Sequence, residues 1–125
     1  MDLNEYQRQA MQTCMDSCDN FSYMMLNLVG EVGEFASKVA KGIRKEELTI
    51  GGTDISDSDL IPNASFVGWT HASDELMKEA GDILWQLAGL CYVMGWDLED
   101  VAKQNLDKLA SRRKRGVIDG DGDNR

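Results

Sequence analysis

The chain has 125 residues, of which 42% are hydrophobic and 28% are charged, and its formal net charge is −9. This length fits one soluble globular domain with its own core, small enough for the active unit to be an oligomer. The negative charge argues against binding to a nucleic acid polymer, because such proteins normally present a basic face to the phosphates.

The cysteines and the longest apolar run indicate a cytoplasmic protein. Cys14, Cys18 and Cys91 form an odd set without paired spacing, and no signal-peptide pattern precedes them, so we expect reduced thiols. Residues 83–96 are interrupted by Gln86 and by glycines, and they are fewer than the ~20 residues that a membrane span requires. We therefore expect no membrane segment.

The first 43 residues predict two helices. The first should begin near Asp2, with Glu5 completing a capping box, and should run to about Cys18. The second should cover roughly residues 23–43. Its apolar positions recur at helical spacing on one arc, which we expect to face the core: Met25, Val29, Val32, Phe35, Ala36, Val39 and Ile43.

A pair of carboxylates lies beside that arc. Glu31 and Glu34 form an acid-x-x-acid step, which places both side chains on one side of a helix and about one turn apart. An unpaired carboxylate is costly to bury, and two neighbouring ones repel each other. The pair therefore predicts a positive charge nearby.

Residues 44–70 lose the helical periodicity and contain two adjacent glycines and the single proline, Pro62. We interpret them as a long loop or lid. Asp54, Asp57 and Asp59 lack the glycine and the terminal glutamate of an EF-hand, so a solvated loop is favoured over a calcium site.

The third helix should start near Ser73 or Asp74 and end near Met94. It contains a second acid-x-x-acid step, Glu79 and Asp82, within a largely apolar helix whose polar stripe needs internal partners. The stripe comprises Glu75, Glu79, Asp82 and Gln86. Because neither acid pair is accompanied by His or Cys, the ligands favour a hard cation, Mg²⁺, for which Mn²⁺ can substitute.

The fourth helix should start at Asp97 and end near Arg115, and the segment 116–125 should form an irregular tail. Three polar side chains share one face of this helix and could reach phosphate groups: Asn105, Lys108 and Arg112. A solvated basic face that balances the helix dipole is the alternative. The residues as a whole predict an all-α, four-helix bundle-like single domain over residues 1–125.

The two acid pairs and the fourth helix together resemble a known family. The segments LVGEVGEFASKVAKGI and ELMKEAGDILWQLAGLCYVMGWDLEDVAKQNLDKLASRRKRGV are similar to the MazG-type nucleotide pyrophosphohydrolases, which belong to the all-α NTP pyrophosphatase superfamily. The resemblance extends from Leu3 to about Val117. The tail sequence GDGDNR is similar to that of phage-type members, so the cytoplasm would be that of the host if a phage encodes the chain.

The resemblance implies Mg²⁺-dependent hydrolysis of a nucleoside triphosphate between the α and β phosphates, by a homodimer or homotetramer. Glu34 is our first candidate for the residue that takes a proton from the attacking water. By the same resemblance, the metal ligands are Glu31, Glu34, Glu79 and Asp82, and the substrate-binding residues are Asn105, Lys108, Arg112 and Trp85.

Two other functions are alternatives to this one. A non-enzymatic helical interaction module would pair its acids with Lys38, Lys41 and the basic end of the fourth helix. A di-iron bundle would need Glu-x-x-His steps, and the single histidine, His71, lies outside any such step.

Overall fold

A computed structural model describes residues 1–46 and 66–125, and the chain is all-α in these two ranges. The helices are α1, Leu3–Met11; α2, Phe21–Arg44; α3, Phe66–Val93; and α4, Leu98–Lys114, with a short 3-10 helix at Asp16–Cys18. The predicted fold class is confirmed. No helix in the described ranges combines the length and the apolar character that a membrane crossing requires.

Helix α1 is shorter than predicted. Asp2 caps it by accepting a hydrogen bond from the backbone N–H of Glu5 at 2.8 Å, as expected. It ends at Met11, however, because the Ala10 carbonyl accepts hydrogen bonds from the Thr13 hydroxyl at 2.7 Å and from the indole N–H of Trp85 at 3.1 Å. The prediction that α1 continues to Cys18 was wrong.

Helix α3 begins earlier than predicted. It starts at Phe66 rather than near Ser73, so the last part of the predicted loop at 44–70 is helical. The remainder of that predicted lid, residues 47–65, lies outside the described residues.

Helix α2 packs along α3, while α1 packs on both α3 and α4. A cluster of buried residues, Ala88, Cys91 and Leu98, joins α3 to α4, and Tyr6 of α1 packs against it. Gly89 lies at the α2–α3 contact, where a Cβ atom would collide with the sulfur of the buried Met24 and force that side chain to shift. The close approach of the two helices brings Glu31 of α2 near Glu79 and Asp82 of α3.

Residues from α1 cap the start of α4. Asp97 is the N-cap residue, as predicted, but its side chain makes no capping hydrogen bond. The Oε1 atom of Gln7 instead accepts from the N–H of Leu98 at 3.1 Å, and Oδ1 of Asn4 accepts from the N–H of Glu99 at 3.0 Å. The first turn of α4 therefore depends on α1 for two of its otherwise unsatisfied donors.

The apolar arc of α2 does not face the core of the single chain. Val29 is 70% exposed and Val32 is 50% exposed, whereas Asn27 and Glu31 are partly buried and Met24 is fully buried. The expectation that this arc faces the core is met in the single chain only at Phe35 and Val39, which are partly buried. The face of α2 that packs on α3 is instead partly polar.

Candidate metal and phosphate site

Three of the four predicted metal ligands come together between α2 and α3. Glu31, Glu79 and Asp82 each offer one carboxylate oxygen, and these three oxygens lie within 4.8 Å of one another. Glu31 and Glu79 are partly buried, and Asp82 is exposed. We call these three residues the acid cluster.

Glu34 is not part of the acid cluster. It is exposed on α2, one turn after Glu31. The structure therefore brings together one acid from α2 and two from α3, and Glu34 is not among them.

Lys38 supplies positive charge beside the cluster. Its Nζ atom lies 2.7 Å from Oε1 of Glu79 and 3.1 Å from Oε2 of Glu75. The hydrogen bonds to Glu79 and then Glu75 raise the pKa of Lys38 above its ordinary value. Lys78 and Lys38 in turn lower the pKa of Glu75 to about 2. The salt bridge between Lys38 and Glu79 is one of those that the interaction-module alternative predicted.

An amide network supports Glu31 from behind. Asn27 donates from Nδ2 to Oε1 of Glu31 at 3.2 Å and to Oε1 of Gln86 at 2.8 Å. Sequence reasoning placed Gln86 on the polar stripe of α3 but assigned it no role, and it did not single out Asn27. The usable signal was spacing, since Asn27 precedes Glu31 by four residues and Gln86 follows Asp82 by four.

Trp85 is held by α1. Its indole N–H donates to the Ala10 carbonyl at 3.1 Å and to the Thr13 hydroxyl at 2.9 Å, and the residue is partly buried. These contacts account for its position without a substrate. The substrate-binding role implied for Trp85 stays a prediction.

Asn105 and Lys108 line one surface cleft on α4, together with Trp96 and Asp100. Both predicted phosphate contacts are exposed. An amide and an ammonium in one cleft can donate hydrogen bonds to an anion, as the sequence analysis expected.

Arg112 lies on the same helix but is buried, with 5% of its surface exposed. The C-terminal tail covers it: one guanidinium nitrogen donates to the carbonyls of Gly122 at 3.3 Å and of Asp123 at 3.2 Å. The same nitrogen lies 3.1 Å from Oδ1 of Asp123, and Lys108 lies 3.4 Å from that oxygen. Arg112 and Lys108 lower the pKa of Asp123 below its ordinary value.

The Nε atom of Arg112 is buried without a hydrogen-bond partner among the described residues. A guanidinium normally donates from several N–H groups, and a bidentate oxyanion satisfies two of them at once. The tail therefore satisfies Arg112 only in part.

Comparisons with known proteins match the part of the chain that carries these residues. The sequence model of the MazG nucleotide pyrophosphohydrolase domain matches residues 19–117, which contain the acid cluster and all of α4. The chain is also similar to the Gene 37 protein of Mycobacterium phage L5, with 35% identity over 132 aligned positions that cover all of both chains. No solved structure matched the chain.

Proposed function

The chain belongs to the MazG nucleotide pyrophosphohydrolase domain family, and we propose from this that it hydrolyses nucleoside triphosphates between the α and β phosphates. The products would be a nucleoside monophosphate and pyrophosphate. The convergence of Glu31, Glu79 and Asp82 from two helices is the observation that carries the proposal. The similarity to a mycobacteriophage protein supports a phage-type member that acts in the host cytoplasm.

The acid cluster fits Mg²⁺ by the chemistry of its donors. All three ligand atoms are carboxylate oxygens, which suit hard divalent cations, and three carboxylates within 4.8 Å need more positive charge than Lys38 alone provides. A bound ion would neutralise phosphate charge and lower the pKa of a coordinated water. Glu34, which is exposed one turn after Glu31 on α2, is our candidate for the residue that accepts the proton from that water.

Residues of α4 would hold the phosphate groups. The protein is strongly acidic, so a triphosphate needs fixed cations in addition to the metal. Lys108 and Asn105 offer donors in one cleft, and Arg112 offers a guanidinium about one turn beyond Lys108 on the same helix. We propose that all three contact substrate phosphate.

We also propose that the active form is a homo-oligomer. In the single chain, α2 packs on α3 with one face, while its other face leaves large apolar side chains exposed. These are Phe21, Met25, Leu26, Val29 and Val32, with exposed fractions from 43% to 70%. A second copy that packs on this face would bury them next to the acid cluster, and light scattering of Val29→Lys against wild type measures the loss of that association.

The interaction-module alternative is favoured by one observation, the salt bridges of Lys38 to Glu75 and Glu79. A structural salt bridge explains those two acids. It does not explain why Glu31 and Asp82 approach Glu79 as well.

The decisive experiment is a panel of canonical and modified nucleoside triphosphates incubated with Mg²⁺, with products separated by ion-exchange chromatography. We expect monophosphate and pyrophosphate, and no turnover in excess EDTA. Diphosphate with orthophosphate would contradict the cleavage position. Absence of turnover over the whole panel, with Mg²⁺ bound, would favour the interaction module.

A further inference from the structure

A short relay of hydrogen bonds connects the backbone of α2 to the acid cluster through α3. Gln86, which is only 2% exposed, donates from Nε2 to the Met24 carbonyl at 3.4 Å and lies 3.5 Å from the Met24 sulfur. Its Oε1 accepts from Asn27 at 2.8 Å, and Asn27 also donates to Glu31 at 3.2 Å. We call Gln86 and Asn27 the amide relay.

The donors and acceptors of the amide relay can be arranged in only one direction. A backbone carbonyl can only accept, so the NH₂ group of Gln86 must face Met24, and its oxygen must then face Asn27. Asn27 must therefore turn its own NH₂ group toward Gln86, and the same NH₂ group reaches Glu31. The orientation of both amides is thus fixed by the α2 backbone, and it presents a donor to the Glu31 carboxylate.

We propose that Asn27 and Gln86 are positioning residues that hold the Glu31 carboxylate ready for a divalent cation. The inference rests on the proposed function, because it assumes that the acid cluster binds a metal ion. Glu31 is the one acid that α2 contributes to the cluster, and a glutamate side chain has several rotamers in a helix. A donor that restrains one carboxylate oxygen reduces the rotational freedom that would be lost when the ion binds.

The position of Gln86 explains why a buried amide is tolerated here. A buried amide without partners is destabilising, yet both ends of Gln86 are hydrogen-bonded across the α2–α3 interface. A hydrophobic residue of the same size would fill the space equally well. The amide of Gln86 therefore does more than fill space, because it fixes the orientation of the Asn27 amide. That orientation directs the Asn27 NH₂ group to the Glu31 carboxylate.

The test uses three single variants of the full chain, the double variant of Asn27 and Gln86, and a Mn²⁺ titration followed by the electron paramagnetic resonance signal of unbound Mn²⁺. Asn27→Leu removes the donor to Glu31, and Gln86→Met keeps the size of the buried side chain while removing its polarity. Gln9→Leu is the matched control. Gln9 donates to Glu5 at 2.9 Å with the same spacing of four residues, and both residues lie on α1, which contributes nothing to the acid cluster.

We expect Asn27→Leu and Gln86→Met each to weaken Mn²⁺ binding by about 10- to 100-fold, the range found when outer partners of metal ligands are removed. Gln9→Leu should bind Mn²⁺ like wild type. The double variant should bind no more weakly than the weaker-binding single variant, because both residues act through one relay. Saturating Mn²⁺ should restore much of the turnover lost in Asn27→Leu.

Thermal unfolding in EDTA separates positioning from folding. Asn27→Leu, at a partly buried position, should unfold within about 5 °C of wild type, a change of around 1 kcal/mol for a domain of this size. Unchanged Mn²⁺ affinity in a folded Asn27→Leu variant, or additive losses in the double variant, would overturn the relay alone. A wild-type protein that binds no Mn²⁺ would overturn both the relay and the metal-dependent function.

Discussion

The acid cluster and the basic face of α4 are organised as opposites. At the α2–α3 interface, carboxylates converge and one cation, Lys38, pairs with Glu79. On α4, Lys108 and Arg112 share a face and one anion, Asp123, pairs with both. Each predicted ligand-binding set thus contacts a side chain of the opposite charge from the same chain.

A ligand that binds at either place would replace a partner that the chain itself supplies. A metal ion approaching Glu79 meets a carboxylate already paired with Lys38, and a phosphate approaching Lys108 meets an ammonium already paired with Asp123. The two exchanges differ in burial. The side chain of Lys38, which an ion would displace from Glu79, is 37% exposed, whereas that of Asp123 is 83% exposed, so Asp123 is the easier partner to displace.

The largest effect should come from neutralising the acid cluster. Glu79→Gln and Asp82→Asn keep the shape of the side chain and remove a metal ligand, so turnover at limiting Mg²⁺ should fall by about 100-fold or more, beyond the usual loss for an outer partner. Glu99→Gln, which removes an exposed charge on α4, is the control.

The stability of these two variants sharpens the same point. Because Asp82→Asn relieves repulsion among the carboxylates, the metal-free variant should unfold in urea at the same concentration as wild type or higher, whereas Glu79→Gln also loses its ion pair with Lys38 and should be the less stable of the two. Wild-type turnover in both variants would show that the acids serve the fold and not the chemistry.

The second effect concerns the basic face. Lys108→Ala should weaken substrate binding or turnover by about 1–3 kcal/mol, the scale of one charge-assisted contact. Arg115→Ala, at the end of α4, should have a smaller effect in steady-state kinetics. The reverse order would place the phosphates elsewhere.

A smaller effect should follow from removing the internal anion. Asp123→Asn abolishes the charge that pairs with Lys108 and Arg112, so KM for the triphosphate should fall by up to about 5-fold, the equivalent of an exposed ion pair. Asp121→Asn changes the same charge two residues earlier and is the control. An increase in KM for Asp123→Asn would mean that the tail supports the substrate site.

The smallest effect should come from removing the internal cation. Lys38→Met deletes the charge beside Glu79, so Mn²⁺ affinity should rise by about 2- to 5-fold, again the scale of a partly exposed ion pair. Lys78→Met is matched to it, because Lys78 pairs at 2.8 Å with Glu75 on the same helix. Equal affinities in the two variants would show that Lys38 does not compete with the ion.

Local periodicity and capping chemistry predicted several elements of the fold correctly. The bounds of α2 and the start of α4 at Asp97 agree with the structure to within two residues. These features depend on side chains close in sequence. The spacing of the two acid pairs and the electrostatic cost of burying them without a cation predicted that their carboxylates converge. Glu31, Glu79 and Asp82 do so, whereas Glu34, which the prediction included, lies outside the group.

Features that depend on distant residues were missed. The indole N–H of Trp85 donates to the Ala10 carbonyl, although the two residues are 75 positions apart, and this bond contributes to the early end of α1. The start of α3 was missed because Ser73 and Asp74 are good N-cap residues, and here they lie inside a helix. The contact of the tail with Arg112 was missed because its glycine-rich composition indicates only local flexibility.

Gln7 has a consequence for where this domain begins. Its side chain bonds to the carbonyls of Ala88 and Trp96 as well as to the N–H of Leu98, and it is 6% exposed. The family match starts at residue 19 and excludes all of α1. A fragment cut at the limits of the match would remove the Gln7 cap from α4 and uncover Leu98, so the family match covers less of the chain than the residues that pack together.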